Sequence, residues 1–350
     1  MVVGAGFTGL AAAAWLRLLD PGKSVVVLEA GHIGEGASGR TGGMALAETA
    51  AGDLPGLGNV LAELQRIFET LGVDCDLALP GAWEIGRSGG IAHSPICWKD
   101  SGPLRVVREV PGGTLDPGKL LSGLARVAHS SGAIIVEDHR VRHVEWGERP
   151  LLTVARGDAG SEAGQISARK ILFATNGLSL ELSGLVASAH PKLTLATLTA
   201  PISDQQLRAI GLAEGKPFYT IDFPYLWGRI RRDRSIVWGA GLVDPPPSGN
   251  LDEVRIASAE PVRMFANFEK RVRGLHPSIA SIEFAHHWGG PILFRDNWRP
   301  LFDWHPQSGN AVVLGAFAGH GVALSNYLGA WAAEVLLGIR ALPEWGKLSW

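Results

Sequence analysis

Three glycines near the start of the chain have the spacing of a phosphate-binding turn. They are Gly4, Gly6 and Gly9, and they lie between a short apolar run and the helix-like run from Leu10 to Leu19. In such a turn the first glycine allows a tight bend, the second lets the backbone approach a pyrophosphate, and the third lets helix and strand pack closely. A second β-branched run then ends in Glu29, whose carboxylate can accept hydrogen bonds from a ribose hydroxyl. The order of strand, turn, helix, strand and acid predicts a dinucleotide-binding βαβ unit.

The segment that follows Glu29 is too rich in glycine and other small residues to pack a hydrophobic core. Residues 30–44 read AGHIGEGASGRTGGM, and such a segment can run close beside an extended ligand. Ser38 and Arg40 are available to the oxygens of a pyrophosphate. A flexible surface loop is the alternative interpretation of the same composition.

This segment resembles that of a known family. The pair Glu29-Ala30 followed by GEGASGRTGG is similar to the FAD-dependent D-amino-acid-oxidase-like (DAO) family, nearest the gamma-glutamylputrescine oxidase and glycine/sarcosine oxidase branch. The loop of that branch typically reads GASGRNGG, so Thr41 stands where an asparagine is usual. The resemblance extends from Met1 to about Gly338 and implies that the dinucleotide is FAD.

Further segments resemble the parts of that family that approach the cofactor. Residues 170–177 (KILFATNG) match a strand and turn near the flavin, and Val141 lies in a strand whose counterpart gives backbone contacts to the adenine. Residues 312–325 (VVLGAFAGHGVALS) match the second flavin-contacting motif, and residues 288–290 (WGG) match a segment that enters the flavin site. A helix that begins near Gly321 would direct the positive end of its dipole at the flavin. For His320 a direct flavin contact and a purely structural role both stay open.

The cofactor-binding residues that these motifs and the resemblance imply fall in six parts of the chain. They are Gly4, Gly6, Phe7, Thr8, Gly9, Glu29, Ala30, Gly36, Ala37, Ser38, Arg40, Thr41, Gly43, Met44, Val141, Ala174, Thr175, Asn176, Gly177, Gly290, Gly319, His320, Gly321, Val322 and Ala323.

The sequence predicts an α/β fold with a Rossmann-type FAD-binding domain around a parallel sheet and an antiparallel-sheet substrate domain. We expect the FAD-binding domain to consist of residues 1–78, 116–190 and 288–350, and the substrate domain of residues 79–115 and 191–287. A helix is expected from Lys119 to Ser130 and a surface loop from Pro245 to Gly249. Only Met1 to Val3 precede the first turn, so we expect the native chain to carry a few more strand residues upstream.

Composition and charge argue against several other classes of protein. The 350 residues include 32 Lys and Arg against 34 Asp and Glu, and the net charge of −2 argues against nucleic-acid binding. The cysteines, Cys75 and Cys97, have no metal-binding spacing, and no secretory signal precedes the first motif, so a cytoplasmic location is expected. The apolar stretch from Ala311 to Gly338 is interrupted by polar residues, so no membrane span is expected.

The resemblance implies an FAD-dependent amine oxidase or dehydrogenase that oxidises a carbon–nitrogen bond of a small amine. A neutral amine transfers hydride to N5 of the flavin and leaves as an imine, which hydrolyses in water. This chemistry depends on orientation and a dry site, so the lack of a metal or nucleophile motif fits it. Both cysteines lie in segments assigned away from the flavin ring, so the FAD is expected to be non-covalent. The predicted substrate-pocket residues are Tyr225, Arg229 and Trp288, with Tyr219, Trp227, Trp238, His286 and His287 as further candidates.

Two departures from the family bear on the substrate and on the electron acceptor. Glycine oxidase-like relatives place an arginine after the WGG segment to hold a substrate carboxylate, but here residues 291–293 read PIL and Arg295 comes late. This favours an amine without an α-carboxylate. Sarcosine oxidase-like members carry a lysine over the flavin that helps O₂ react, and residues 235–239 (SIVWG) have none. The acceptor is therefore either O₂ or a quinone or protein carrier.

Other functions remain compatible with the sequence. One is oxidation of a 2-hydroxy acid on the same scaffold, and another is a non-catalytic FAD-binding subunit that works only with a partner chain. An NAD-dependent dehydrogenase is disfavoured, because the loop at residues 36–43 and the GHG segment at residues 319–321 would have no role in it.

Overall fold

The computed structural model describes residues 1–157, 161–244 and 259–347, so the loop expected from Pro245 to Gly249 lies outside the described residues. The helices are α1 (Phe7–Leu19), α2 (Ala37–Arg40), α3 (Val60–Leu71), α4 (Pro117–Ser130), α5 (Leu180–Ser183), α6 (Asp204–Ala209), α7 (Ala259–Gly274) and α8 (Gly321–Leu337). The first strands are β1 (Val2–Val3), β2 (Val26–Leu28), β3 (Met44–Leu46), β4 (Ala82–Gly86), β5 (Trp98–Lys99), β6 (Pro103–Val110), β7 (Gly112–Thr114), β8 (Ile134–Val136), β9 (His139–Glu145) and β10 (Leu151–Arg156). The remaining strands are β11 (Glu162–Ser167), β12 (Ile171–Phe173), β13 (His190–Thr199), β14 (Phe218–Thr220), β15 (Leu226–Ile230), β16 (Ile236–Val243), β17 (Phe284–Phe294), β18 (Leu301–His305) and β19 (Ser308–Gly315).

A six-stranded, largely parallel sheet carries the N-terminal motif. Its strand order is β18-β19-β12-β1-β2-β8, and every neighbouring pair is parallel except β18 with β19. Its central strands are almost entirely apolar and buried, as expected for a parallel sheet covered by other layers. Helices α1 and α8 pack against each other in the core that includes residues of this sheet, with Leu10 and Leu328 both fully buried.

An eight-stranded sheet forms the second layer, in the order β17-β13-β16-β15-β14-β4-β6-β5. All its pairings are antiparallel except β14 with β4. Its core contains Trp98, Phe218 and Trp238, which are fully buried with ring centroids 5.0–5.3 Å apart. The combination of parallel and antiparallel sheets predicted from the sequence is confirmed.

Local signals in the sequence explain where α4 begins. Asp116 Oδ1 accepts a hydrogen bond from the Lys119 backbone N–H at 3.0 Å, and Pro117 occupies the first helical position. The helix therefore begins two residues before the predicted start at Lys119 and ends at Ser130 as predicted. The expected domain boundary between residues 287 and 288 falls inside strand β17, which runs from Phe284 to Phe294. The division of the chain into two domains stays a prediction.

The longest apolar helix is α8, and it is a buried element of the core. Within the described ranges, no helix combines the length and the apolar character needed to cross a lipid bilayer.

Candidate cofactor and substrate site

The glycine turn between β1 and α1 has the close backbone packing that its sequence predicts. Gly4 has a φ of +102°, and a Cβ there would lie 2.8 Å from the Ala174 carbonyl oxygen. A Cβ on Gly9 would lie 2.0 Å from the Gly4 carbonyl oxygen, so only glycine allows α1 to approach β1. Gly4 and Gly6 line a large cavity, whereas Gly9 lies behind them in the helix–strand contact.

Glu29 follows β2 and fixes the same turn. Its Oε2 accepts the Ala5 backbone N–H at 2.7 Å, and its Oε1 accepts the Gly31 backbone N–H at 3.0 Å. Each oxygen keeps a free lone pair on the cavity wall. The carboxylate thus holds the turn in place and still offers acceptors to a hydroxyl group.

The small-residue segment after Glu29 forms α2 at the edge of the cavity. Ser38 Oγ accepts the Phe7 backbone N–H at 3.0 Å, which ties α2 to the start of α1. Trp288 Nε1 donates to the Arg40 carbonyl oxygen at 2.8 Å, so β17 holds the other end of this short helix. Gly43 has a φ of +75° and faces the Leu115 carbonyl, and it does not line the cavity.

Two loops that follow β12 and β19 close the floor of the cavity. Asn176 Oδ1 accepts the Ala316 backbone N–H at 2.9 Å, which links the two loops. Helix α8 begins next to them at Gly321, and burial lowers the pKa of His320, so its imidazole is neutral at neutral pH. His320 Nδ1 lies 3.3 Å from the Ala318 carbonyl oxygen. The positive end of α8 and a neutral imidazole therefore face the cavity together.

The roof of the cavity carries two carboxylates and a tyrosine. Tyr219 Oη donates to Glu48 and lies 3.2 Å from Glu84 Oε2, and burial beside these carboxylates raises the pKa of Tyr219 far above its usual value. Arg108 binds both oxygens of Glu84, at 3.0 and 2.7 Å, and lies 3.9 Å from Glu48. Glu84 thus has a bidentate cationic partner, whereas Glu48 has only the longer contact with the same guanidinium.

Most of the residues that the sequence predicts for the site surround this one cavity of about 980 Å³. Those that line it are Gly4, Gly6, Phe7, Thr8, Glu29, Ala30, Gly36, Ala37, Ser38, Arg40, Thr41, Met44, Val141, Ala174, Thr175, Asn176, Gly177, Tyr225, Gly290, Gly319, His320, Gly321 and Val322. Gly9, Gly43 and Ala323 do not line it, and Ala323 is buried in the helix core behind the floor. The ligand contacts of all these residues stay predictions.

Of the three predicted substrate-pocket residues, only Tyr225 lines the cavity, and the other two lie outside its wall. Arg229 shares a strand face with Tyr225 but lies two residues past Trp227, outside the cavity wall, where burial lowers its pKa. Trp288 does not line the cavity either, and its indole N–H donates to the Arg40 carbonyl oxygen.

Among the further candidates, two residues line the cavity and three do not. Tyr219 and Trp227 are in the wall, with Trp227 Nε1 donating to Thr194 Oγ1 at 3.3 Å. Trp238 belongs to the core, and His287 pairs with Glu269. His286 is exposed and also lies outside the wall.

Sequence reasoning missed the two roof carboxylates. Glu84 could have been noticed, because it interrupts the apolar run AWEIG of β4 and is only 6% exposed. A charged residue in a buried strand usually has a partner or a function. Glu48 gives no such signal, because it follows β3 in a segment outside any strand or helix, where a charged residue is not unusual.

The cavity fits an extended dinucleotide such as FAD. Its volume lies near the upper end of the range for ligand pockets, about 300–1,000 Å³. Thr175 Oγ1 and Ser325 Oγ are buried and have no hydrogen-bond partner among the described residues, although both side chains belong to the wall. Such polar atoms are expected where a polar ligand completes the site.

A comparison with protein families identifies the family to which this chain belongs. The model of the DAO family, described as FAD dependent oxidoreductase, matches residues 1–335. The chain belongs to this family. It is an FAD-dependent oxidoreductase, and the nucleotide that the N-terminal motif predicts is FAD.

Individual relatives are distant but cover nearly the whole chain. The chain is 25% identical to "Probable oxidoreductase OrdL" of Rhizobium meliloti (strain 1021), over 96% of this chain and 82% of that protein. It is 24% identical to gamma-glutamylputrescine oxidoreductase of Escherichia coli (strain K12), over 96% of this chain and 83% of that protein. The fold is similar to that of glycine oxidase from Geobacillus kaustophilus, with a TM-score of 0.73, 18% identity and coverage of 97% and 94%. It is also similar to L-proline dehydrogenase from P. horikoshii, with a TM-score of 0.68, 16% identity and coverage of 97% and 93%.

Proposed function

We propose that this FAD-dependent oxidoreductase oxidises the carbon–nitrogen bond of a small amine that lacks an α-carboxylate. The relatives' names refer to gamma-glutamylputrescine, glycine and proline, all of which contain an amine nitrogen. FAD, bound non-covalently, supplies the two-electron acceptor for hydride from the carbon next to that nitrogen. Neither Cys75 nor Cys97 lines the cavity, which supports the non-covalent mode.

The charge on the cavity roof is the observation that carries the choice of an amine. Glu48 shares its cationic partner with Glu84, because Arg108 binds both oxygens of Glu84 and lies 3.9 Å from Glu48, so two carboxylates face a single guanidinium. A substrate ammonium bound beside Glu48 gains the favourable interaction that a substrate carboxylate would lose, and the reacting nitrogen releases one proton to solvent before the neutral amine transfers hydride. The aromatic side chains of Tyr219, Tyr225 and Trp227 share this wall and can contact a cation with their ring faces.

The arginines of the cavity support the same conclusion. Ile292 lines the wall in the stretch where the glycine oxidase-like arginine is expected. Arg295 is only 5% exposed and donates to the Lys347 carbonyl oxygen at 3.1 Å, outside the cavity wall. Arg40 and Arg140 do line the cavity, but both lie in segments assigned to the cofactor. Arg108 is engaged by Glu84 and does not line the cavity, so within the described part of the chain the roof wall offers no free guanidinium to an α-carboxylate.

The roof charge can be tested by removing it. Glu48→Gln should raise the KM for amines about tenfold or more while kcat changes little, because the lost interaction binds ammonium in the ground state. Glu109→Gln is the matched control, since Glu109 pairs with Lys216 outside the cavity wall. Steady-state kinetics with a panel of gamma-glutamylputrescine-like amines, glycine and D-alanine measures both the substrate preference and the effect of each variant on KM. Faster turnover of glycine or D-alanine than of the amines, or an unchanged KM in Glu48→Gln, contradicts the proposal.

For the electron acceptor we infer a quinone or a protein carrier in preference to O₂. No lysine lines the cavity among the residues that the structure describes, so the cationic side chain that assists O₂ in sarcosine oxidase-like members has no counterpart. Stopped-flow mixing of the reduced protein with air-saturated buffer should give slow reoxidation, and a soluble quinone should give faster reoxidation. Rapid reoxidation by O₂ alone contradicts this inference.

A further inference from the structure

The segment from Ile221 to Tyr225 forms one side of the mouth of the cavity. It connects β14 to β15, and its first and last residues line the cavity wall. Ile221 is 45% exposed although it belongs to the wall, and Phe223 is 64% exposed. The segment therefore lies where the cavity meets solvent, and we call it the mouth segment.

Two arginines hold the mouth segment from behind. Arg271 of α7 donates to the Pro224 carbonyl oxygen at 2.6 Å and to the Tyr225 carbonyl oxygen at 3.2 Å. Arg87, just after β4, donates its Nη1 to the Phe223 carbonyl oxygen at 3.1 Å, and its backbone N–H donates to Asp222 Oδ2 at 2.7 Å. Four consecutive residues of the segment are thus bound by charged or backbone donors.

Asp100 joins the two arginines into one network. Its Oδ2 accepts from Arg271 Nε at 3.1 Å and from Nη2 at 2.6 Å, and its backbone carbonyl accepts from Arg87 Nε at 3.1 Å. The side chains of Arg271 and Asp100 are only 18% and 12% exposed, so water screens their pairing weakly. Neither arginine lines the cavity, which means that both can affect a substrate only through the mouth segment.

We propose that Arg271, held by Asp100, is a positioning residue that fixes Tyr225 and the mouth segment in a preformed, substrate-binding arrangement. A guanidinium suits this task because its planar array of donors reaches two carbonyls and a carboxylate together, which an ammonium group cannot do with the same geometry. The fixed segment binds the substrate without first having to be ordered, and that ordering would otherwise weaken binding. The proposal rests on the proposed function only in taking the cavity roof as the place where the substrate binds.

The first test needs no substrate. In Arg271→Lys, hydrogen exchange measured by mass spectrometry should become faster in peptides that cover residues 221–226, while β12 and α8 keep their protection. Arg273→Lys is the matched control, because Arg273 lies on the same helix but donates to the Ala280 and Ile282 carbonyls. Unchanged exchange in the mouth segment of Arg271→Lys overturns the proposal, whichever substrate the protein oxidises.

The second test uses turnover and separates positioning from general stability. Arg271→Lys should raise the KM of the best amine about tenfold with kcat and flavin content nearly unchanged, whereas Arg273→Lys should leave KM unchanged. In a Tyr225→Ala background the same Arg271→Lys change should have little further effect on KM, since Arg271 acts through Tyr225 and its neighbours. An equal KM increase in both backgrounds overturns the assigned route through Tyr225. If no amine is oxidised but the exchange result holds, the proposed function fails and the positioning role stands.

Discussion

Glu29 has a structural role, and we propose that the same carboxylate also binds the ligand. Both of its oxygens already accept backbone N–H groups, from Ala5 and Gly31, so the side chain is held in place before any ligand arrives. Such preorganisation lets the remaining lone pairs meet ribose hydroxyls at little entropic cost. A change at this position should therefore weaken FAD binding both directly and by loosening the turn that Glu29 holds.

Glu29→Gln should weaken FAD binding about tenfold, because an amide offers one acceptor oxygen and no charge in place of two charged oxygens. Titration of the apoprotein with FAD, followed by flavin fluorescence, measures the dissociation constant. Glu137→Gln is the control, since Glu137 also accepts a backbone N–H, from Ile33, but lies outside the cavity wall. Equal dissociation constants for the two variants would show that Glu29 does not bind the nucleotide.

Ile292 is a second residue at which a single change should alter function. An arginine there would place a guanidinium in the cavity wall, where it can bind a carboxylate with two parallel hydrogen bonds. Ile292→Arg should raise the ratio of kcat/KM for glycine to kcat/KM for the best amine by about tenfold or more. Ile292→Met, which keeps the position apolar, should leave the ratio unchanged. If both variants shift the ratio equally, charge at residue 292 does not select the substrate.

At the scale of elements, the contact between α1 and β1 depends on the absence of a side chain at residue 9. Gly9→Ala should lower the free energy of unfolding of the apoprotein by about 3 kcal/mol, because its Cβ would lie 2.0 Å from a backbone oxygen that cannot move aside easily. Gly147→Ala is the control, since a Cβ at Gly147 meets nothing within 4 Å, and it should change stability by less than about 0.5 kcal/mol. Urea denaturation of both variants measures the difference, and similar unfolding midpoints would contradict the close-packing account.

The elements also show what the sequence could and could not predict. The βαβ unit follows from local spacing, because Gly4, Gly6, Gly9 and Glu29 each meet a requirement set within 30 residues. Arg229 shows one limit of prediction from sequence, because strand alternation places it on the face of Tyr225 but does not tell where the cavity ends along β15. Trp288 shows a second limit, because the hydrogen bond from its indole N–H to the Arg40 carbonyl oxygen joins residues 248 positions apart. Such distant pairings leave no local signal in one sequence.

At the scale of the whole molecule, two histidines couple stability to pH, His305, which is buried, and His320, which is half-buried. Burial lowers the pKa of both His305 and His320 below the ordinary value of 6.5. Below pH 6.5 the unfolded chain therefore binds protons that the folded chain does not, and the stability of the folded apoprotein falls as the pH decreases through this value. Above it, both imidazoles are neutral in both states and the contribution is constant.

His305→Asn tests this coupling at a residue that lies outside the cavity wall. The variant should show a shallower loss of unfolding free energy than the parent protein between about pH 7 and pH 5, because one of the two shifted groups is gone. Denaturant titrations at several pH values measure the slope, which is independent of any constant change in stability that the substitution causes. Identical slopes would mean that His305 does not carry a lowered pKa in the folded state.

The lining of the cavity was predictable along its floor and not along its roof. The floor consists of contiguous motifs, so the sequence drew attention to residues such as Ser38, Asn176 and Gly321, which line the cavity. The roof is assembled by pairing of β4, β14 and β15, which brings Glu84 next to Tyr219 although 135 residues separate them. Glu48 joins them from the loop after β3. The charge that we propose to select the substrate class is therefore a property of the folded chain.

The most direct test of the account is an anaerobic visible spectrum of the FAD-loaded protein, titrated with gamma-glutamylputrescine-like amines, α-amino acids and 2-hydroxy acids. The account predicts that the flavin absorbance is bleached by amines without an α-carboxylate at lower concentrations than by glycine or D-alanine, and not by hydroxy acids. Bleaching by α-amino acids or hydroxy acids in preference to such amines would contradict it. A bound flavin that none of these compounds bleaches would contradict independent amine oxidation and favour a subunit that needs a partner chain.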